Sequence, residues 1–150
     1  MLASEYGHLE IAQLLVEEVA NVNAELTDDG TTALMWASFK GHLEIAQLLV
    51  EEGANVNAAK TDTGYTALMW ASHKGHLEIA QLLIEGGANV NAARTDNGMT
   101  ALMAASRCGR LKIVRLLLTS GADKAALNHA GRTAHSLCTA YYPSVRALLA

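Results

Sequence analysis

The stretch Gly41-His42-Leu43-Glu44-Ile45-Ala46-Gln47-Leu48-Leu49, GHLEIAQLL, stands twice more in this chain letter for letter, at Gly7–Leu15 and Gly75–Leu83. A worn copy, GRLKIVRLL, runs from Gly109 to Leu117, and successive copies start 34 residues apart. A fixed period of this size marks an array of stacked units, each burying its apolar face on the next. The period divides the chain into a partial unit at 1–6, motif copies at 7–40, 41–74, 75–108 and 109–142, and a C-terminal capping remnant at 143–150, all in one domain over 1–150. These brackets cut each structural unit between its two helices.

Local signals fill in one unit. Thr66 precedes the apolar run Ala67-Leu68-Met69-Trp70-Ala71-Ser72. A threonine there is a helix N-cap, its hydroxyl accepting from an otherwise unpaired backbone N–H. Thr32, Thr100 and Thr133 repeat the device. The first helix is expected to run to about His73, with Gly75 closing it in a left-handed conformation. The second helix is expected from Leu77 to about Glu85, with Leu77, Ala80, Leu83 and Ile84 forming an apolar stripe at 3- and 4-residue spacing. Gly87 ends it, and Thr95-Asp96-Asn97-Gly98 makes a turn. Helices this short are unstable alone in water, so the stripe must be buried against a neighbouring unit. The small pairs Ala37/Ser38, Ala71/Ser72 and Ala104/Ala105 let adjacent first helices approach closely. The last unit diverges most, and a final short helix is expected from Val145 to Ala150.

Composition narrows the function classes. Hydrophobic residues make up 51% of the chain and aromatic residues only 5%, which suits closely packed short helices. No apolar run approaches the length of a membrane span, and no signal-like start is visible. Two cysteines, Cys108 and Cys138, cannot make a disulfide framework, so a reducing, cytoplasmic setting is expected. The net charge of -4 argues against nucleic acid. Its distribution is uneven: residues 1–52 hold ten acids and one base, and residues 107–150 hold seven bases and one acid. A linear stack then has one acidic and one basic end, which steers partners and favours head-to-tail self-contact of an otherwise monomeric chain.

Units with TALMWAS, then GHLEIAQLL, then GANVNA and a D-x-G turn resemble ankyrin repeats, whose usual pattern is TPLHLAA, GHLEIVKLLL and GADVNA. The resemblance covers essentially the whole chain and implies an all-α solenoid of stacked helix-turn-helix units with β-turn fingers. The departures are specific. The period is 34 where the family's is 33, the extra residue falling between Asn57 and Gly64 and again between Asn91 and Gly98. Ala33, Ala67 and Ala101 replace the family's proline, and Met35, Met69 and Met103 replace its histidine. Val19 stands where Gly53, Gly87 and Gly121 end their helices; if that position needs φ > 0, valine is strained there by ~1 kcal/mol or more. Val19→Gly is then expected to raise stability in a denaturant melt.

Candidate chemistry is sparse. His8, His42 and His76 recur at the start of the second helix, where the resemblance implies packing and hydrogen bonding at the inter-helix turn. Cys108, His129, His135 and Cys138 do not match the short paired spacings of a zinc site. No nucleophile, phosphate-loop or metalloprotease motif is present, so neither catalysis nor a cofactor or metal is expected. The informative signal lies in the differences between units. Units 7–40 and 41–74 differ at six of 34 positions: Val19/Gly53, Glu25/Ala59, Leu26/Lys60, Asp29/Thr63, Thr31/Tyr65 and Phe39/His73. The next pair differs mainly at the same places, with Lys60/Arg94, Tyr65/Met99, Trp70/Ala104 and Lys74/Cys108 among them. In an ankyrin-type stack these are the fingertips and the palm of the concave surface. The implied function is recognition of a protein partner there, by a rigid array whose preformed geometry lowers the ordering cost of association. The candidate contact residues are Asp29, Thr31, Phe39, Lys40, Thr63, Tyr65, His73, Lys74, Asn97, Met99 and Arg107, with Trp36 and Trp70 on the palm. Phe39, Tyr65, Met99, Trp36 and Trp70 are expected to add large apolar groups to that face. The alternative is an engineered or consensus-like repeat scaffold with no natural ligand, since near-identical units are unusually designable.

Overall fold

The computed structural model describes residues 2–17, 21–25 and 29–150, and the side chains of Val16 and Glu17 lie outside the description. Residue 19, where Val19 breaks the glycine pattern, is also outside the described residues. Ten helices are present among the described residues: α1 (Leu2–Tyr6), α2 (Leu9–Glu17), α3 (Ala33–Lys40), α4 (Leu43–Glu51), α5 (Ala67–Lys74), α6 (Leu77–Glu85), α7 (Ala101–Arg107), α8 (Leu111–Thr119), α9 (Ala134–Leu137) and α10 (Pro143–Leu149). The odd-numbered helices pack each on the next in one layer, the even-numbered helices in a second, and each pair packs on itself.

The caps form as the sequence predicts. The amides of Met35, Met69 and Met103 donate to the hydroxyls of Thr32, Thr66 and Thr100 at 3.3, 3.4 and 3.3 Å. Thr133 accepts in the same way from Ser136 at 3.3 Å. Gly41 and Gly75 close α3 and α5 at φ +88° and +95°, a region that L side chains rarely enter. The final helix starts at Pro143 rather than Val145. Proline's fixed φ suits the first helical position, and its missing N–H would be unpaired there in any case.

Burial follows the stack. Ile79, Ala80 and Leu83 are buried in α6, while Leu77 and Ile84 sit at the edge of the core, so the stripe is centred one position away from the expected set. Met35, Met69 and Met103 are buried core residues, as is each small pair between first helices. The α2 face is different: among the described residues its main packing is on α1 and α4, and Ile11, Leu14 and Leu15 are exposed.

Three hydrogen-bonded ladders join the units; the first carries the histidine contacts that the family resemblance implied, and the other two were not legible as motifs. At the inter-helix turns His42 Nε2 donates to the Glu5 carbonyl and His76 Nε2 to the Phe39 carbonyl, both at 3.3 Å. Arg110 Nε takes the same role toward the His73 carbonyl at 3.3 Å. These rings, then the guanidinium, then Tyr142 lie over Gly7, Gly41, Gly75 and Gly109 of the unit before; a Cβ on Gly7, Gly41 or Gly109 would collide with them, and one on Gly75 would crowd Arg110 at 3.0 Å. On the outer side Asn23, Asn57 and Asn91 donate to the carbonyls of Gly53, Gly87 and Gly121 and accept from Asn55, Asn89 and Asp123. The fingers form the third ladder: the amides of Thr61, Thr95 and His129 donate to the carbonyls of Asp29, Thr63 and Asn97 at 2.9, 3.0 and 3.0 Å. The first three fingers are each closed at the base by a bridge, Glu25–Thr32, Ala59–Thr66 and Ala93–Thr100. The long turn closes Lys60 N onto Tyr65 O and Arg94 N onto Met99 O, whereas the last finger closes Asn128 N onto Arg132 O, one residue shorter.

Candidate functional site

The residue just before each capping threonine decides how the gap between finger and palm is filled. In successive units it is Thr31, Tyr65 and Met99. Tyr65 and Met99 are 8% and 7% exposed, so they do not project as free apolar groups, contrary to expectation. The Tyr65 ring lies against Trp70 with centroids 4.0 Å apart, and its hydroxyl is 3.5 Å from His73 Nδ1. Burial pushes the Tyr65 phenol above its ordinary pKa, against the pull of Arg94 and Arg107. Met99 packs under the last finger, where the Asn128 amide reaches its sulfur at 3.8 Å.

Thr31 is too small to fill the corresponding space. A groove of about 160 Å³ opens there, lined by Asp29, Thr31, Met35, Trp36, Phe39, Lys60 and Trp70. One unit on, where Tyr65 fills the gap, the remaining space is only about 30 Å³. The groove wall is aromatic. Phe39 meets Trp36 edge-on at 5.9 Å and Trp70 edge-on at 4.8 Å, and all three are half-buried. Edge-to-face pairs of this kind add to simple area burial. The Trp36 Nε1 is shielded from water and has no hydrogen-bond partner among the described residues.

Cations surround the aromatic strip. Lys74 Nζ lies 4.2 Å from the Phe39 ring centre, and Lys40 Nζ lies 5.7 Å from Phe39 and 5.8 Å from Trp36. The Arg94 guanidinium sits 4.6 Å over Tyr65. On the fingers, Lys60 bridges Asp29 at 2.8 Å and Asp62 at 3.8 Å, and Arg94 pairs with Asp96. The bond to Asp29 raises the Lys60 pKa above its usual value against the opposing effect of burial. Exposed pairs of this kind contribute little to stability. His73, between these groups, has its pKa lowered by burial first, then by Arg107, Lys74, Arg110 and Arg94.

Asp29, Thr63 and Asn97 act as finger struts as well as tip residues. The Thr31 amide donates to Asp29 Oδ1 at 3.0 Å, the Met99 amide to Asn97 Oδ1 at 2.9 Å, and the Thr63 hydroxyl to Asp62 at 2.9 Å. Lys40, Lys74 and Arg107 are exposed at the far end of the first helices. The structure thus brings Asp29, Thr31, Trp36, Phe39 and Trp70 to one groove, with Lys40 and Lys74 at its rim. Thr63, Asn97 and Arg107 sit farther along the face. Lys60 and Arg94 belong to this site and were not among the candidates, although both vary between units and that variation could have found them.

No curated protein matches the chain. A family model described as Ankyrin repeats (3 copies) matches residues 1–60 and 58–128. That match spans most of the 150 residues and agrees with the stacked helix pairs, capping threonines and linked fingers, so the chain belongs to the ankyrin-repeat family.

Proposed function

We propose that this chain recognises a partner protein through the concave face formed by its fingers and first helices. Ankyrin repeats are in general protein-interaction modules. The observation that supports the concave face here is the aromatic groove beneath the first two fingers, open because Thr31 is small where Tyr65 fills the next gap; a wider space of about 360 Å³, without that aromatic wall, lies beside Met99 and Arg107 under the last finger. Half-buried aromatic side chains in a concave site are the kind of group on which binding energy concentrates. The ladders that tie finger to finger and turn to turn keep that face preformed, which lowers the cost of ordering on association.

The test uses changes outside the fully buried core, with a melt of each variant to confirm that it folds. Replacing Tyr65 or Met99 would damage packing, so the informative concave variant is Phe39→Ala with Arg107→Glu. Its counterpart on the outer layer is Glu44→Arg with Glu78→Arg. Proteins captured from lysate are cross-linked to the native chain, and the cross-linked residues are mapped. Partners lost with the concave variant alone, and cross-linked to fingers or first helices, support the reading. Partners lost with the outer variant alone sink it.

A further inference from the structure

The chemistry of the groove narrows the kind of partner, on the premise that the concave face is the binding face. We propose that it takes an extended acidic segment anchored by one large uncharged apolar side chain. The anchor enters the space bounded by Thr31, Trp36, Phe39 and Trp70. Carboxylates beyond it face Lys74 and then Arg107.

An aromatic-walled cavity invites two opposite occupants, a cation over the rings or a neutral apolar group between them. The structure favours the second. The ring faces already carry cations of this chain: Lys74 and Lys40 over Phe39, and Lys40 over Trp36. The groove's acid, Asp29, is bridged by Lys60 at 2.8 Å, so an incoming cation would meet Lys40, Lys60 and Lys74 first. A neutral side chain meets no such barrier.

The charges along the palm set the flanks. Lys40, Lys74 and Arg107 have no carboxylate within 4.0 Å among the described residues. The finger acids Asp29, Asp62 and Asp96 are engaged by Lys60 and Arg94. The palm is therefore left positive on a chain whose net charge is -4. His73 registers that excess from inside the fold, since Arg107, Lys74, Arg110 and Arg94 all add to burial in disfavouring its protonation. A basic residue in the last turn also serves its own helix end, and that role touches folding rather than binding, so melts of each variant separate the two.

Spacing gives a register. Packed helices lie about 8–10 Å apart, and an extended chain advances about 3.3 Å per residue. One unit thus corresponds to about three partner residues. A carboxylate beside the anchor reaches Lys74, and one about three to four residues farther on reaches Arg107.

Selection of a displayed library of random linear peptides on the intact chain tests this. The enriched set is synthesised and titrated against the native chain, Thr31→Tyr, Lys74→Glu with Arg107→Glu, and Glu78→Arg. Thr31→Tyr places in the groove the side chain that already fills the next gap. The expected result is an aromatic or leucine anchor with Asp or Glu after it, and at least about ten-fold weaker binding to the first two variants. Glu78→Arg should bind unchanged, and added salt should weaken native binding. Basic or trimethyl-lysine-like peptides that need the groove would overturn the acidic assignment and leave the concave face standing. Peptides indifferent to both concave variants but lost with Glu78→Arg would overturn the concave face as well. Failure to enrich any linear peptide would overturn the extended-segment proposal, while the cross-linking test of the face itself would still decide that reading separately.

Discussion

The hydroxyls of Ser38 and Ser72 are fully buried and have no hydrogen-bond partner among the described residues, whereas Ser106, two units after Ser38, donates to the Leu102 carbonyl at 2.7 Å. A buried polar group without a partner costs about 1–3 kcal/mol, and a satisfied one returns about 1. Serine and alanine differ by one oxygen, so the substitution leaves little cavity. Ser72→Ala should therefore be neutral or stabilising by up to about 1 kcal/mol, and Ser106→Ala should cost about 1 kcal/mol. Urea melts of the two variants against the parent measure the difference. Equal losses would show that Ser72 has an acceptor in solution. His73 carries a pH dependence. Its pKa lies below 6.5 in the fold, because burial and then Arg107, Lys74, Arg110 and Arg94 disfavour the charged form. As pH falls below 6.5 the unfolded chain takes up this proton first, so this group's contribution to stability declines until the folded pKa is passed. His73→Phe, which installs the residue of the preceding unit, should flatten the fall in melting temperature on the acid side of pH 6.5 and leave it unchanged above. At this scale the sequence was only partly legible. Variation between units pointed to Thr31, Tyr65 and Met99, but not to their direction. Thr31 leaves a groove that Tyr65 fills one unit on, and volume alone does not show what faces the position.

The helix pair and its turns were the most legible level, because caps and left-handed glycines act within a few residues of themselves. Leu77–Glu85 and the closing Gly75 fall where expected, and Thr32, Thr66, Thr100 and Thr133 all cap. The asparagine and finger ladders were illegible for the opposite reason: each bond joins residues about one period apart, and a single unit shows only half of it, whereas the histidine contacts were implied by the family resemblance alone. Two glycines separate the local from the inter-unit effect. Gly41 and Gly53 both have positive φ, at +88° and +81°. A Cβ on Gly53 would meet nothing within 4 Å, whereas one on Gly41 would lie 2.5 Å from His76 Cε1. Gly53→Ala should therefore cost only the left-handed penalty, about 1–2 kcal/mol. Gly41→Ala adds displacement of the His76 ring and loss of its 3.3 Å bond to Phe39, bringing the cost to about 2–4 kcal/mol. Replacing His76 by alanine in the Gly41→Ala background should remove most of the excess in a double-mutant cycle. Additive losses would mean that the ring does not hold its place over the turn.

Across the molecule, identical letters acquire different energies from their place in the stack. Ile11, Ile45 and Ile79 occupy the same position of the same nine-residue motif, so propensity, neighbours in sequence and helix register are shared. Their exposures are 51%, 1% and 1%, because α2 has a second-layer neighbour on one side only, while α4 and α6 are flanked on both. In an array whose stability is a sum of units and nearest-neighbour interfaces, such a difference is wholly an interface effect. Removing a buried isoleucine's methyl and ethyl groups costs about 2–5 kcal/mol, and an exposed one about 1 kcal/mol or less. Ile45→Ala and Ile79→Ala should fall in the first range and Ile11→Ala in the second. The same asymmetry leaves the α1–α2 pair less supported than the inner pairs, so its amides should exchange hydrogen faster than those of α4–α8. Exchange followed by mass spectrometry on the parent, with urea melts of the three alanine variants, checks both. If Ile11→Ala were as costly as Ile45→Ala, with α2 amides equally protected, the open face of the first unit would be covered in solution. A dependence of that protection on chain concentration would identify a second copy as the cover.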